Sequence, residues 1–318
     1  MSHARSPAKR LRPLWDVVAL TRPMLLIPVW TMHVLGAAHA SEAGSTAWTP
    51  EPRFIALSAA HTFLMAAAYV LNQLTDVETD AANRKLFLIA GGYVSRRSVK
   101  LEIAVLLGLS AAVLLASGGL SLHIVAVFAA SAALGAMYSA PPVRLKARPG
   151  FDVAANGIGY GCLAFAVGWL SVRPLTMLAV GESATYVLCV ASTFMFTTVV
   201  DLDGDARAGA RTSGVALGAS RVAWVGVAFL VLAAAWALAR RQWYAMPAVG
   251  LALPLYVRSA SRTHRPVNDP SLTRVTQVVI LALSAAAAFA MPLYVVWLAV
   301  VIAWTRWYYR LFFGLRYP

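Results

Sequence analysis

The chain has 318 residues, of which 60% are hydrophobic and only 13% charged, and its mean hydropathy is +0.68. This composition excludes an ordinary soluble domain and indicates an integral membrane protein. The formal net charge of +14 does not indicate a nucleic-acid partner, because the basic residues lie in short segments between apolar runs rather than on one soluble domain.

Apolar runs long enough to cross about 30 Å of hydrocarbon predict an all-α membrane bundle. Nine runs are expected to cross, and a shorter tenth run follows Pro292 near the C-terminus. We favour ten crossings, and nine crossings plus an interfacial aromatic helix is the alternative. In chain order the runs cover residues 23–41, 54–71, 101–118, 121–137, 153–171, 184–200, 222–239, 243–257, 274–291 and 293–305.

The distribution of basic residues predicts the domain organisation and the orientation. Residues 1–22 form a basic tail, residues 23–291 the membrane domain, and residues 292–318 a segment that mixes apolar, aromatic and basic residues. The tail holds five Lys or Arg residues and every second loop after it holds three to five, whereas the opposite loops hold four in total. The positive-inside rule therefore predicts a multi-pass protein of the inner (plasma) membrane with a cytoplasmic N-terminus. No obligate protein partner is indicated.

The second apolar run ends in acidic residues. Asn72, Asp76 and Asp80 are spaced i, i+4 and i+8 in the stretch NQLTDVETD. On a helix this spacing places all three side chains on one face. We therefore expect them to converge at the cytoplasmic end of the span, beside a water-filled cavity between helices.

A similar cluster ends the sixth run, in the stretch VVDLDGDARAGARTSG. Asp201 and Asp205 are again spaced i, i+4, with Asp203 between them. Asp201 follows Asp76 by 125 residues, and Asp205 follows Asp80 by the same number. An Arg-Pro pair at 22–23 also recurs at 148–149. These offsets predict two parallel four-helix repeats whose acids face the same side of the membrane.

Carboxylate and amide oxygens are hard ligands that suit Mg²⁺ shared with water and phosphate oxygens. Two facing clusters therefore predict a Mg²⁺-diphosphate site, with Asn72, Asp76, Asp80, Asp201 and Asp205 as the metal ligands. The alternative is that these acids are solvated loop residues paired with basic neighbours, which the matched spacing of two clusters disfavours. Basic candidates for holding the phosphates are Arg84, Lys85, Arg144, Lys146, Arg207 and Arg211.

A third stretch, MYSAPPVRLKARPGFDVAANGIGYG at 137–161, follows the fourth run. It is similar to the loop between the fourth and fifth spans in the UbiA superfamily of intramembrane prenyltransferases. The acid clusters resemble that family's two signatures, NxxxDxxxD at 72–80 and DxxxD at 201–205, the latter followed by Gly209 and Thr212. The resemblance covers roughly residues 20–290, with the three motifs in the family's order, so the chain resembles a UbiA-like bundle.

The resemblance implies that Mg²⁺ and basic side chains draw off the diphosphate of a polyprenyl donor, and that the allylic cation then alkylates a small lipophilic acceptor. It implies catalytic roles for the four aspartates of the two signatures. Tyr138 is the candidate for steadying the cation through its ring face, although an interfacial tyrosine is the alternative. Asn156 is a candidate substrate contact, and its Asn-Gly-x-Gly-x-Gly context equally fits a close helix-packing face.

Departures from the family pattern bear on the acceptor. Many members follow the first motif with N-R-x-x-R-P, whereas Phe87 and Leu88 stand here at the second Arg and the Pro. Homogentisate-type aromatic prenyltransferases also lack that Arg and have a similar start to the motif, which favours an aromatic acceptor, as in quinone or tocopherol-like lipid biosynthesis. Some relatives also carry Lys-Asp at the position of Thr197-Thr198, so donor binding is expected to differ.

Two other functions compete with acceptor prenylation. A UbiA-type terpene cyclase would use the same acids but close the allylic cation on its own chain. A secondary transporter would use intramembrane acids for a proton or a cation, but such sites lie near the bilayer midplane and often within inverted repeats. Acids at one membrane face and parallel repeats therefore disfavour transport.

Overall fold

A computed structural model of the chain describes residues 12–41, 49–78, 87–262 and 270–315, and within these ranges all regular structure is helical. The predicted all-α fold is thus confirmed. The helices are α1 Arg12–Leu20, α2 Pro23–Ala40, α3 Pro52–Thr75, α4 Phe87–Ala90, α5 Arg96–Ala116, α6 Leu122–Ser139, α7 Phe151–Leu170, α8 Met177–Arg207, α9 Ser213–Leu217, α10 Ala219–Ala239, α11 Met246–Ala260, α12 Pro270–Ala290 and α13 Leu293–Phe313, with a 3₁₀ turn at Leu145–Ala147.

Each of the ten predicted apolar runs lies in a separate helix. Among the described residues, seven helices are long and apolar enough to cross a membrane: α2, α3, α5, α6, α7, α8 and α10. This supports a multi-pass membrane protein. Two helices are longer than their runs by eight residues or more. The sixth run, 184–200, lies in the 31-residue helix α8, which continues through the second acid cluster to Arg207. The tenth run, 293–305, lies in the continuous 21-residue helix α13, whose N-cap is Pro292.

The two predicted repeats are visible in how the helices pack. In the first half α3 packs along α5, and in the second half α8 packs along α10. A short helix follows each acid cluster, α4 beginning at Phe87 and α9 at Ser213. The second helix of each half therefore delivers its acids to the same end of the bundle.

Helices α2 and α7 cross in backbone contact at the centre of the bundle. A Cβ atom placed on Gly36 would lie 2.1 Å from the carbonyl oxygen of Phe165, and one on Gly168 would lie 1.9 Å from that of His33. Small residues permit such close approach between membrane helices. The crossing fixes α7 against α2, and so places the cavity-facing residues of α7.

Helix α7 is not regular along its length. Residues 157–164 form a π-helix between two α-helical turns. At Gly161 the backbone of α8 lies so close that an added Cβ would be 2.4 Å from the backbone of Val187. Because a π-helix has more residues per turn than an α-helix, it changes which side chains share a face, and such segments are frequent at functional sites.

The first and the last of the described helices, α1 and α13, pack against each other. Helix α1, which lies in the predicted N-terminal tail, packs on α13 through a hydrogen bond in which the Tyr308 hydroxyl donates to Asp16 Oδ1 at 2.5 Å. The guanidinium of Arg12 lies 4.4 Å from the ring centroid of Tyr93 and 4.9 Å from that of Phe313. These contacts tie α1, α13 and the segment that follows α4 together.

Candidate active site

The two acid clusters face one cavity. Asp76 lies on one wall, Asp201 and Asp205 lie on another, and the cavity between them has a volume of about 760 Å³. This volume is in the range of small-molecule and cofactor sites. We call this space the central cavity; its polar and charged lining consists of Arg22, Tyr69, Asn72, Asp76, Ser131, Tyr138, Ser139, Arg144, Lys146, Asn156, Tyr160, Thr197, Thr198, Asp201, Asp205, Arg211 and Thr212.

The helix that carries the first acid cluster is interrupted at Asp76. Helix α3 ends at Thr75, and Asp76 is its C-cap residue with φ −108° and ψ 8°. The Asp76 backbone N–H still donates to the Asn72 carbonyl at 3.1 Å, so these two side chains remain one turn apart. Aspartate is a poor helix former, and here its carboxylate binds two cations from another loop. Asp80 lies outside the described residues.

Those two cations come from the loop after α6. Arg144 Nη2 lies 3.2 Å from Asp76 Oδ1, and Lys146 Nζ contacts Asp76 Oδ2. The Asp76 and Lys146 side chains are mostly buried, whereas the Arg144 side chain is 42% exposed. The loop thus brings two positive charges to the first acid cluster.

The second acid cluster is helical, as predicted. Asp201 and Asp205 lie one turn apart on α8 and both line the central cavity, while Asp203 between them is exposed on the opposite face. Thr212 Oγ1 donates to Asp205 Oδ2 at 3.1 Å. The same oxygen caps α9 by accepting from the Val215 backbone N–H at 3.4 Å. The start of α9 therefore fixes the orientation of Asp205.

Helix α9 is also anchored to α7 through a buried carboxylate. Asp152 is fully buried; its Oδ2 accepts from the Ser213 backbone N–H at 2.7 Å, and its Oδ1 accepts from the Ser213 hydroxyl at 2.5 Å. The Ser213 hydroxyl oxygen also accepts from the Gly150 backbone N–H at 2.8 Å. This brace joins the loop that carries Arg144 and Lys146 to the loop after the second acid cluster.

Charge in the central cavity is close to balanced. Four cationic side chains and three carboxylates line it among the described residues, the cations being Arg22, Arg144, Lys146 and Arg211. Arg22 and Arg144 both have left-handed backbones, with φ 53° and 42°. Such a conformation costs about 1–3 kcal/mol for a residue other than glycine, and it persists where the surroundings enforce it, commonly at functional sites. A strained backbone thus positions two of these cations, Arg22 and Arg144, on the lining of the cavity.

Amide and hydroxyl groups line the wall next to the acids. Asn72 Nδ2 donates to Ser139 Oγ at 3.0 Å, which links α3 to α6. Asn156 Nδ2 donates to the Tyr138 hydroxyl oxygen at 3.1 Å and to the Asp152 carbonyl at 2.8 Å. Asn156 therefore faces the central cavity rather than only a helix-packing surface.

The cavity becomes apolar away from the acids. Leu25, Met65, Leu134, Leu163 and Phe194 line this part. Counting along α3 from Asp76 to Met65 at about 1.5 Å per residue gives a depth of roughly 16 Å. The cavity therefore combines a charged end with an apolar tunnel, the arrangement needed for an amphiphile with an anionic head.

Most predicted site residues meet here, and some do not. Arg207 does not line the cavity: its side chain is exposed and its Nε donates to the Asp203 carbonyl at 3.0 Å. Its position does not support the predicted phosphate contact, because it follows Asp205 by two residues and points to the other side of the helix at about 100° per residue. Arg84 and Lys85, like Asp80, lie outside the described residues.

Among the cationic and tyrosine residues of the cavity, the sequence analysis predicts no site role for three: Arg22, Tyr69 and Tyr160. Tyr69 lies three residues before Asn72 on α3, and Tyr160 lies four residues after Asn156 on α7. Helical neighbours of a predicted site residue at these spacings share its face, so this signal was available in the sequence.

Among the described residues, no group of three or more Asp, Glu, His or Cys side chains is close enough to hold a metal ion by itself. The oxygens of Asn72, Asp76, Asp201 and Asp205 instead lie on opposite walls of one cavity. This donor set fits Mg²⁺, which is usually bound through one or two carboxylates together with water and substrate phosphates rather than by an all-protein cage.

Comparison with known proteins points to one family. The sequence profile of the UbiA prenyltransferase family matches residues 25–276. A lycopene elongase/hydratase from Haloferax volcanii is 31% identical over 231 residues, which cover 69% of this chain and 70% of that protein. The profile match contains every residue that lines the central cavity except Arg22.

Solved structures have the same fold. A UbiA homologue from Archaeoglobus fulgidus, bound to GPP and Mg²⁺, superimposes with a TM-score of 0.60 at 20% identity, covering 86% of this chain and 99% of that chain. An apo UbiA homologue from Aeropyrum pernix K1 gives a TM-score of 0.63 at 18% identity, covering 83% of this chain and 96% of that chain. At these identities the likeness establishes the fold.

Proposed function

The chain belongs to the UbiA prenyltransferase family, and we propose that its central cavity binds a prenyl diphosphate with Mg²⁺ and transfers the prenyl group to a lipophilic acceptor. One observation carries this proposal: two acid clusters 125 residues apart line the charged end of a single cavity whose other end is apolar. Asn72, Asp76, Asp201 and Asp205 are the proposed Mg²⁺ ligands among the described residues, and Asp80 is a further proposed ligand.

Loss of the diphosphate is the first chemical requirement. Bound Mg²⁺ would supply charge neutralisation to the leaving diphosphate. Arg144, Lys146 and Arg211 are proposed to donate to its oxygens, because fixed cations stabilise charge that develops on a leaving group. Arg84 and Lys85, which follow the first acid cluster, are proposed to assist.

The transfer step needs an apolar, water-free site. The C1–O bond of the donor breaks and its electron pair leaves with the diphosphate. A π-electron pair of the acceptor then forms the new bond to C1, and the acceptor carbon loses a proton to the released diphosphate. Leu25, Leu134 and Phe194 would shield the allylic cation from water, and the ring of Tyr138 is proposed to steady it.

The charged end of the cavity is proposed to face the cytosol of the inner membrane. The loop with Arg144 and Lys146 lines this end of the cavity, and the positive-inside rule assigns basic loops to the cytoplasm. An anionic donor could then enter with its head at the cytosolic surface and its tail among the helices.

The acceptor is proposed to be aromatic, as in quinone or tocopherol-like lipid biosynthesis. Support comes from the first acid motif and from Phe87-Leu88, which are similar to homogentisate-type enzymes. A second candidate is a polyene hydrocarbon, since the relative from Haloferax volcanii is a lycopene elongase/hydratase. Incubation with geranylgeranyl diphosphate, Mg²⁺ and either acceptor class, followed by mass spectrometry of the products, distinguishes these two acceptors. A cyclic hydrocarbon formed when no acceptor is added would instead indicate a terpene cyclase.

Removal of divalent metal is expected to abolish prenyl transfer. The purified protein, assayed with geranylgeranyl diphosphate and an accepted acceptor, should lose at least about 99% of its rate in excess EDTA, because metal-assisted departure of the diphosphate contributes several kcal/mol. Excess Mg²⁺ should restore the rate. Transfer that continues unchanged in EDTA after metal-free purification would contradict the proposed metal role.

A matched pair of arginines tests the phosphate site. Arg211 lines the central cavity and Arg207 does not, so Arg211→Gln should raise the KM for the prenyl diphosphate by roughly tenfold or more, as expected for loss of one charged hydrogen bond. Arg207→Gln should change it less than about twofold. Steady-state kinetics with varied donor measures both, and equal effects of the two substitutions would remove Arg211 from the site.

A further inference from the structure

The hydroxyls of Tyr69 on α3 and Tyr160 on α7 are hydrogen-bonded to each other, and their other contacts indicate which of them is the donor. The Tyr69 hydroxyl lies 3.1 Å from the Leu25 carbonyl oxygen and 2.6 Å from the Tyr160 hydroxyl. A carbonyl has no proton, so the single proton of Tyr69 is needed for Leu25. The assignment that gives both contacts a proton therefore has Tyr160 donating to Tyr69. Tyr160 has then used its proton, and its oxygen offers lone pairs only.

Tyr138, which also lines the central cavity, accepts a hydrogen bond instead of donating one. Asn156 Nδ2 donates to the Asp152 carbonyl, which fixes the orientation of its amide, and it also donates to the Tyr138 hydroxyl oxygen. Tyr138 thus accepts there and keeps its own proton, for which no described residue is an acceptor. Tyr138 is a donor and Tyr160 an acceptor toward the cavity that both line.

Both hydroxyls belong to residues that line the central cavity. Asn156, which binds Tyr138, lies four residues before Tyr160 on α7, and side chains at that spacing lie on the same side of a helix. Tyr160 itself lies within the π-helical segment 157–164. Both tyrosines are half-buried, so a ligand group between them is largely removed from water.

The prenyl donor does not match this pair. An ionised diphosphate has acceptor oxygens and no proton, so it could take the proton of Tyr138 but would oppose the lone pairs of Tyr160. The isoprenoid tail has no polar group. A hydroxyl has one proton and two lone pairs, and matches both tyrosines at once.

We infer that Tyr160, oriented by Tyr69, is a specificity-determining residue that binds a hydroxyl proton of the acceptor, so that the enzyme selects phenolic or other hydroxylated acceptors over hydrocarbons and ethers. This inference rests on the proposed function, since it assumes that the acceptor enters the central cavity. A buried polar group left without its partner is costly, which is why sites built to bind a hydroxyl reject analogues that lack it.

The experiment uses two probes of similar size, 4-hydroxybenzoate and 4-methoxybenzoate, with lycopene as a hydrocarbon probe and geranylgeranyl diphosphate with Mg²⁺ as the donor. The wild-type protein is expected to prefer 4-hydroxybenzoate over its methyl ether by at least about 100-fold in kcat/KM. Tyr160→Phe should raise the KM for 4-hydroxybenzoate roughly tenfold. The KM for the donor should stay within about twofold of its wild-type value.

The Tyr69→Phe variant tests the orientation of Tyr160, because it should change the preference between the hydroxy and methoxy probes, which a purely structural role of Tyr69 would leave unchanged. Without Tyr69 as its acceptor, the Tyr160 proton is free and can be donated to an ether oxygen. The ratio of kcat/KM for the hydroxy probe to that for the methoxy probe should therefore fall at least about fivefold, because one neutral hydrogen bond is lost. Transfer to the methoxy probe should improve.

Tyr294→Phe is the matched control. Tyr294 is buried, donates to the Ile27 carbonyl at 3.1 Å and contacts the Thr31 hydroxyl at 2.9 Å, but it does not line the central cavity. Its substitution removes the same kind of contact and should leave acceptor preference unchanged. Thermal unfolding of all three variants in detergent shows whether each is folded before its kinetics are compared.

The outcomes separate the inference from the proposed function. Equal use of the hydroxy and methoxy probes by the wild type, use of lycopene but neither benzoate, or an equal loss of kcat with every acceptor in Tyr160→Phe would each overturn the role of Tyr160 while leaving prenyl transfer in place. Absence of Mg²⁺-dependent binding of geranylgeranyl diphosphate, measured as a thermal shift, would instead overturn the proposed function itself.

Discussion

Replacing Asp201 by Asn is expected to reduce kcat/KM for prenyl transfer by roughly 1,000-fold. The substitution keeps the size of the side chain and one oxygen, but it removes the negative charge that would hold Mg²⁺ against the leaving diphosphate. Loss of a single group that stabilises charge in a transition state commonly costs about 100- to 1,000-fold in rate. The effect should be seen in diphosphate release as well as in product formation, because both depend on the same bond cleavage.

Asp203→Asn is the matched control, since it makes the same chemical change two residues away. Asp203 is exposed and does not line the central cavity, so its activity should stay within about twofold of the wild type. Asp76→Asn should be at least as damaging as Asp201→Asn, because Asp76 also binds Arg144 and Lys146. Near-normal activity in both Asp76→Asn and Asp201→Asn would show that the acids are not the diphosphate site.

The convergence of the acids was predictable from the repeat. A matched offset of 125 residues and a shared topological position are properties of the sequence, and parallel repeats place equivalent residues at the same end of a bundle. Helical periodicity also predicted correctly that Asp201 and Asp205 share a face, because α8 continues to Arg207. For the first cluster the helix is interrupted, because α3 ends at Thr75. Asn72 and Asp76 still line the same cavity, and Asp80 lies outside the described residues.

The roles of individual cations and hydroxyls were harder to predict. Arg22 and Arg207 look alike in sequence, and only the course of the backbone places the first in the cavity and the second outside it. Tyr160 shares the cavity-facing side of α7 with Asn156, as their spacing of four residues indicates, but the π-helical segment that holds it is not visible in the sequence. The direction of its hydrogen bond depends on Leu25 and Tyr69, two residues distant in sequence, so it follows from tertiary contacts alone.

Gly168→Ala is expected to destabilise the fold strongly, because the added methyl group has no space. Its Cβ would lie 1.9 Å from the His33 carbonyl oxygen and 2.7 Å from the carbonyl carbon, both backbone atoms of α2. A rotating side chain cannot relieve this contact, so the helices must separate, which also breaks the close packing of Gly36 against Phe165. Overpacking of a tight core typically costs about 1–3 kcal/mol, occasionally more, and a backbone-to-backbone contact should reach the upper end.

The same change from glycine to alanine at position 108 is expected to leave the stability unchanged or to raise it. Gly108 lies inside α5, is exposed, and has no atom within 4 Å of an added Cβ, so alanine there should be neutral or stabilising by about 0.5–1 kcal/mol through its higher helix propensity. Thermal unfolding of both variants in the same detergent, with the yield of monodisperse protein, measures the difference. Equal unfolding temperatures would show that α2 and α7 do not cross as closely as described. A large loss in Gly168→Ala should also lower prenyl transfer in the surviving folded fraction, since α7 carries Asn156 and Tyr160 to the central cavity.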